Sequence, residues 1–397
     1  LETRSGNWYL NPSESWFRVK LPNDQTGWVS AENFIKTKWT NDLQINSGLV
    51  RDVVKLKLPK DAETTSWSPD GSKMAYFANT SDRNIYWMAQ SIWVASANGS
   101  NPKWVSDGAF FNPNITWSKD GEWLVFENLS GEERQIWIAS SDATGLKKVT
   151  IGEAPSISPK GDKIAFVRRG KSSTSIWIRD LNNNNERKIA EVTIKGQQSY
   201  IAYGYNANFN PPSWSSDGSL IAFGFDGYHY DDKYTRVALI RISGGIIREF
   251  AVRAWRMKNT ELSNDGKKIA YITHEHSTKE ANDVLDKQVH FTSIDDNSSV
   301  RSYRHSEGIS WSPDGRYLAF VEKSITMGIN RRVWILDTQK NQQIQLLTSR
   351  QEIEKVAWIK NDKIVILART SKQDLSESAG AIGKIQSWLV TIKNLPA

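Results

Sequence analysis

Cysteine is absent from this chain of 397 residues, which excludes a disulfide framework and any thiolate ligand or nucleophile. Only five histidines are present, so few groups titrate near neutral pH or suit zinc. No apolar run approaches the roughly 18 residues of a spanning helix, and no signal-peptide pattern occurs in the residues given. Nor does any stretch hold a helical apolar period over several turns. The Gly-x-Ser-x-Gly elbow of an α/β-hydrolase is missing too, and no paired-carboxylate motif stands out. The net charge is +7. Its densest groups, Arg168-Arg169-Gly170-Lys171, Arg253–Lys258 and Arg331-Arg332, are small and scattered, so nucleic acid is not an expected partner.

What the chain has in excess is tryptophan, 18 copies, and a repeat. Trp67-Ser-Pro-Asp-Gly71 recurs intact as Trp311-Ser-Pro-Asp-Gly315. Blurred copies stand at Trp117-Ser-Lys-Asp-Gly121, Ile157-Ser-Pro-Lys-Gly161, Trp214-Ser-Ser-Asp-Gly218, Leu262-Ser-Asn-Asp-Gly266 and Trp358-Ile-Lys-Asn-Asp362. Successive copies end 50, 40, 57, 48, 49 and 47 residues apart, the spacing of a propeller or solenoid. Each is followed by a short apolar run such as Lys163-Ile-Ala-Phe-Val167, then by a second such as Ile176-Trp-Ile178. β-branched and aromatic runs bounded by Gly, Asn, Asp and Ser read as strands, so the chain is all-β. Ser, Pro and a Gly free to take positive φ describe a type I turn ending in a bulge. The Trp before it fills the wedge between units. Hence Trp67, Asp70, Gly71, Trp117, Asp120, Gly121, Trp214, Asp217, Gly218, Trp311, Asp314 and Gly315 are assigned to architecture.

These copies resemble the TolB-like (WD40-like) β-propeller repeats, a Trp-Ser-Pro-Asp-Gly turn followed by Lys-Ile-Ala-Phe, over about residues 45–393. Seven copies imply seven blades of about four strands. Leu49–Leu58 alternates before the first motif, and residues 49–397 read as a propeller closed by that strand against the last blade. Residues 1–36 fall outside the repeat. Trp16-Phe-Arg-Val-Lys-Leu-Pro22 and Thr26-Gly-Trp-Val29 resemble the second half of a bacterial SH3 domain, a partial module that implies more chain upstream and contact with peptide or cell wall. Residues 37–48 are expected to be a linker.

Strand order puts the motif turns at one end of the propeller and the long insertions at the other, where binding is expected. Tyr200–Phe209 and Asp226–Tyr234 bring Tyr203, Tyr205, Phe209, Tyr228, His229 and Tyr230 together as a candidate recognition surface, with Trp87 and Trp255 as further candidates. Their other reading is as aromatics packing loops onto the rim. His274 and His276 are two potential metal ligands lacking a third, and Asp226, Asp231 and Asp232 are a weak Ca²⁺ candidate. No cofactor is required.

The function expected is a non-catalytic scaffold binding a protein or peptide on its long-loop face. The resemblance implies a bacterial periplasmic or extracellular setting. A structural subunit of a larger assembly and a channel-site polysaccharide lyase or hydrolase are the alternatives.

Overall fold

The computed structural model describes residues 2–3, 16–20, 26–30, 37–40, 43–59, 62–79, 90–109, 115–130, 133–170, 173–193, 209–229, 232–254, 256–275, 286–295, 301–304, 306–323, 331–349, 351–369, 385–393 and 395. Among them are 33 strands and no helix. An N-terminal antiparallel sheet holds β1 (Glu2–Thr3), β2 (Trp16–Lys20) and β3 (Thr26–Ser30). The remainder of the SH3-like pattern lies outside the described residues. Next come β4 (Thr37–Thr40), β5 (Leu43–Asn46) and β6 (Val50–Leu56).

Seven sheets follow. Blade one is β7 (Ala62–Trp67), β8 (Lys73–Asn79), β9 (Gln90–Ser96) and β10 (Lys103–Ala109). Blade two is β11 (Ile115–Trp117), β12 (Trp123–Ser130), β13 (Glu133–Ser140) and β14 (Lys147–Ile151). Blade three is β15 (Glu153–Ile157), β16 (Lys163–Arg169), β17 (Ser173–Asp180) and β18 (Glu186–Thr193). Blade four is β19 (Ser213–Trp214), β20 (Leu220–His229), β21 (Asp232–Arg241) and β22 (Ile246–Arg253). Blade five is β23 (Arg256–Leu262), β24 (Lys268–Glu275), β25 (Asp286–Ser293) and β26 (Arg301–Arg304). Blade six is β27 (Ser306–Trp311), β28 (Tyr317–Lys323), β29 (Arg331–Asp337) and β30 (Gln342–Ser349). Blade seven is β31 (Glu352–Lys360), β32 (Lys363–Arg369) and β33 (Ile385–Ile392), with β6 as its fourth strand.

The motif is explained by its hydrogen bonds. The Ser68 amide donates to the Lys73 carbonyl at 3.0 Å and the Gly71 amide to the Ser68 carbonyl at 2.8 Å. Gly71 takes φ +71°, a region Cβ-bearing residues avoid. The buried Ser68 hydroxyl donates to Asp70 Oδ1 at 2.6 Å and accepts the Lys73 amide at 3.0 Å. The same Ser–Asp bond closes the turns at Ser118, Ser215, Ser263 and Ser312. One residue type at each position is thus dictated by one donor, one acceptor and one φ.

Past each turn, the fourth residue of the apolar run wedges between blades. Tyr76, Phe126, Phe166, Phe223, Tyr271, Phe320 and Ile366 are all buried. Fully burying such side chains contributes roughly 1.5–3 kcal/mol each.

Two N-terminal elements join later blades, and one of them, β6, closes the ring. β6 runs antiparallel to β33, with Val53 opposite Val390 and Val54 opposite Leu389. Residues 37–48 are not an open linker. β4 and β5 form a hairpin added to β30, widening the sixth sheet to six strands. Leu43 and Ile45 are buried there, and Asn46 Nδ2 donates to the Gln345 carbonyl at 3.0 Å. Two apolar residues in alternation were too short a signal to read as a strand.

Candidate functional surfaces

At the turn end, adjoining turns touch. The turn glycines Gly71, Gly121, Gly218, Gly266 and Gly315 abut the turn of the preceding blade, whereas Gly161 faces open space. A Cβ on Gly266 would lie 3.2 Å from Ser215 Cβ, and one on Gly315 would lie 3.3 Å from Asp265. A Cβ on Gly71 would collide with Ile359 of blade seven. Lysines that open second strands reach forward: Lys73 Nζ donates to Ser141 Oγ of blade two at 2.6 Å.

At the opposite end, two segments expected as loops are paired ribbon. β12 and β13 continue to Ser130 opposite Glu133. β20 and β21 continue to His229 opposite Asp232, each ten residues long against seven for β16. Asp226, Tyr228, His229 and Asp232 therefore stand on this ribbon, where strand pairing replaces the open loop. Their side chains lie outside the described residues, as do Tyr203, Tyr205, Tyr230, Asp231, Trp87, Trp255 and His276. His274 is a β24 position opposite Arg256 and Lys287. Among the described residues no three His, Cys, Asp or Glu side chains converge as a metal site.

Phe209 departs from the expected surface. It is buried between the third and fourth blades, 5.9 Å from Phe223, with the Arg169 guanidinium 4.3 Å above its ring. An aromatic two residues before Pro211 reads as an exposed loop residue in the sequence, but the interblade wedge takes it.

Arg169 belongs to a chain of charges at this end that the sequence did not announce. Its guanidinium grips Glu153 through two bonds of 2.9 and 2.8 Å. Arg134 Nε lies 3.7 Å from Glu153 and its Nη1 3.1 Å from Glu127. Glu127 also accepts the Ala154 amide. Burial raises the Glu127 pKa, against the pull of that amide and of Arg134. Blade seven has a related clasp, Arg331 to Glu352 at 2.7 Å and Arg369 to Glu354 at 2.6 Å.

First strands of adjoining blades lie side by side around the central channel, β7 with β11, β11 with β15, β19 with β23, β23 with β27 and β27 with β31. The residue before each motif Trp ties the two together. Ser66 donates to the Ile115 carbonyl (3.3 Å) and Thr116 to the Pro155 carbonyl (3.2 Å). Ser156 accepts Trp214 Nε1 (2.9 Å), Ser213 the Leu262 amide (2.9 Å) and Ser310 the Trp358 amide (3.0 Å). In blade seven the position is Ala357, and in blade five it is Glu261. There the tie passes to the backbone, Trp311 Nε1 donating to the Glu261 carbonyl at 3.2 Å. The Glu261 carboxylate keeps the hydroxyl's task as well, accepting the Trp311 amide as Ser213 accepts that of Leu262 and Ser310 that of Trp358.

Lys355 of β31 is its counterpart. Glu261 is half-buried and Lys355 exposed, each with many protein atoms around it. That crowding pushes the Glu261 pKa up to about 7, against the opposing influence of Lys355 and of the Trp311 amide. It also lowers the Lys355 pKa, against that of Glu261. Strongly perturbed pairs of this kind mark candidate functional sites. Periodicity could not have found them, since their relation depends on which blades adjoin.

A buried histidine was also missed. His290 sits between Thr273 Oγ1 and Ser302 Oγ, 2.7 Å from each, stacked 5.0 Å from Tyr271. Burial depresses its pKa to about 4, so it is neutral at physiological pH.

Fold and surfaces together define a seven-bladed β-propeller. Residues 43–202 match the TolB beta propeller domain family, and the chain carries TolB-like repeats. An uncharacterized Agrobacterium fabrum protein, Atu1656, is 24% identical over 164 residues, 40% of this chain and 52% of the relative; the chain thus spans about half its length. Kuenenia stuttgartiensis hydrazine synthase is similar in fold, with a TM-score of 0.53 at 17% identity, over 79% of this chain and 94% of that one. The β-propeller domain of the trilobed protease from Pyrococcus furiosus gives 0.52 at 14%, over 85% and 94%. That domain is described as having an open velcro topology, whereas β6 closes the ring here.

Proposed function

We propose that the protein is a non-catalytic propeller scaffold that holds a protein or peptide partner on its long-loop end, in a bacterial periplasmic or extracellular setting. The observation that carries this reading is the β20–β21 ribbon. It runs three residues further than the β16 strand of blade three and brings Tyr228 and His229 to its tip. Strand pairing gives a recognition surface rigidity at little ordering cost, and Tyr gives contact area with few rotatable bonds. The charge chain from Glu127 to Arg169 braces the neighbouring blades at the same end. The opposite end, a belt of short turns packed on one another, offers less adaptable surface. An SH3-like module at residues 1–36 adds a second contact, to peptide or cell wall.

The test is affinity capture by the full chain from its native lysate, repeated with Tyr203→Ala and Tyr228→Ala. A stoichiometric partner is expected, weakened by both substitutions at an unchanged melting temperature. A partner retained by both variants, or a fall in melting temperature matching the loss of capture, overturns this surface.

A further inference from the structure

In blade one a tight turn, Ser96–Ser100, joins β9 to β10. The Ser96 amide donates to the Ser100 carbonyl at 2.9 Å and the Gly99 amide to the Ser96 carbonyl at 2.8 Å, with Gly99 at φ +78°. The turn contains the chain's one Asn-Gly step. Asn98 is exposed, and its Oδ1 accepts the Ser100 amide at 3.0 Å and the Ser100 hydroxyl at 2.7 Å. Two donors on that oxygen draw electron density from Cγ. Blade two has the same turn at Ser140–Thr144, with Asp142 in the place of Asn98. There Asp142 Oδ1 accepts the Thr144 amide at 2.9 Å and hydroxyl at 2.5 Å, so the turn receives a carboxylate without change. Blade two carries Ala143 at φ +68° where blade one has Gly99, which has a neighbour to avoid. A Cβ on Gly99 would lie 2.1 Å from the Lys57 carbonyl oxygen, on the segment that leads from β6 of blade seven to β7.

We propose that Asn98 is a site of spontaneous deamidation, and that its isoaspartyl product loosens the seam between blades seven and one. The Gly99 nitrogen attacks Asn98 Cγ. The new C–N bond forms as the Cγ–Nδ2 bond breaks, and the Gly99 proton leaves with Nδ2 as ammonia. Water then opens the cyclic imide. Addition at Cγ gives α-linked aspartate, and addition at the backbone carbonyl gives isoaspartate, whose main chain runs through Cβ and Cγ. Glycine leaves the attacking nitrogen less obstructed than any other residue would. The bond to Ser96 holds that nitrogen in place, so attack proceeds when the turn opens, and surface turns open at little cost. Aspartate at this position repeats the arrangement of Asp142. Isoaspartate lengthens the main chain by one atom and presses Gly99 toward the Lys57 carbonyl, where not even a Cβ has room. The site is separate from the partner surface proposed above and does not depend on it.

The experiment ages the full chain at pH 8 over several days and follows the Asn98 peptide by mass spectrometry, with electron-transfer fragmentation to separate isoaspartate from aspartate. Conversion is expected at Asn98 sooner than at any other asparagine among the described residues, with isoaspartate the larger product. The aged protein should melt below the fresh one. Asn98→Asp supplies the α-linked product and should melt with the fresh wild type. Asn98→Ser has no amide to lose and should keep its melting temperature on ageing. The inference is overturned if Asn98 keeps its amide while other asparagines convert, or if aspartate is the only product. It is equally overturned if protein rich in isoaspartate melts as the fresh protein does, or if Asn98→Ser loses as much on ageing as the wild type. Conversion and melting are both read on the wild-type protein, so they decide the matter even if a variant folds poorly.

Discussion

In the third blade the Ser158 hydroxyl donates to Asp162 Oδ1 at 2.8 Å, four residues along the chain. In the other hydroxyl-closed turns the acceptor stands two residues on, as Asp217 does for Ser215 at 2.6 Å. Blade three has Lys160 at that place, and Asp162 has taken over the bond. The turn keeps its donor, its carboxylate and its positive-φ Gly161 (φ +72°) while changing the order of its residues.

This exchange is testable by reversal. Asp162→Ala should destabilise the protein by about 1–2 kcal/mol, the range for a partly exposed charge-assisted hydrogen bond. Adding Lys160→Asp should restore most of that loss, because it returns the acceptor to the place it holds in Asp217. Urea denaturation of both variants measures it, and a double variant no more stable than Asp162→Ala would refute the substitution of roles.

Asp217 gives the turn a pH signature. The Ser215 hydroxyl, then the Ser219 amide and hydroxyl, hold its pKa down to about 2 against an ordinary 3.8. A depressed carboxylate pKa stabilises the fold above the unfolded value, and that contribution is lost as pH falls from 3.8 toward 2. Asp217→Asn should therefore lower the melting temperature at pH 6 and lower it less at pH 2.5.

Closure by β6 can be checked without deleting anything, because the chain contains no cysteine of its own. Asp52 and Thr391 are direct antiparallel partners. Such partners lie about 4.5–5.5 Å apart at Cα, inside the range a disulfide spans. The pair Asp52→Cys and Thr391→Cys should oxidise readily and raise stability by about 2–4 kcal/mol over its reduced form. A non-reducing gel shows the product; persistent free thiols would mean that the ring is not held at this seam.

Much of this architecture is legible in the sequence, because the turn motif repeats its chemistry in every blade but the seventh and its glycines enforce it. What is not legible depends on neighbours far away in sequence. Glu261 reads as one polar residue in a strand until Trp311 of the next blade is seen to bond its carbonyl. Phe209 reads as a loop aromatic until Arg169, forty residues earlier, is found above it. The β20–β21 ribbon was hidden because Asp226-Gly-Tyr-His carries turn-forming residues, and pairing with β21 overrides them. The hairpin of β4 and β5 is strand only because the edge of β30 is there to receive it.

Arg169 is the keystone of the charge chain at the long-loop end. It holds Glu153, which is 7% exposed, and covers Phe209. Arg169→Met keeps the stem's packing but leaves the carboxylate with Arg134, 3.7 Å away, in place of the bidentate clasp. Breaking one side of a buried pair costs about 3–5 kcal/mol, because a charge remains where water cannot reach it. Combining Arg169→Met with Glu153→Gln should recover a large part of that loss. If the double variant is as unstable as the sum of the two single ones, the pair is not coupled and the bracing role fails.

His290 sets an acid limit on the fifth blade. Its folded pKa is about 4 and its ordinary value 6.5, the difference arising from burial between Thr273, Ser302 and Tyr271. Between these values the unfolded chain binds the proton and the folded one does not, so stability falls as pH drops from 6.5 to 4 and levels off below. The interval corresponds to about 3 kcal/mol. His290→Gln can keep a hydrogen bond to one hydroxyl but cannot be protonated. It should be the less stable protein at pH 7.5, where the imidazole meets both hydroxyls, and should narrow or reverse that deficit at pH 4. Urea midpoints across this range for the two proteins give the test. Parallel curves would mean that His290 takes up its proton without unfolding, through a rearrangement of the two hydroxyls that face it.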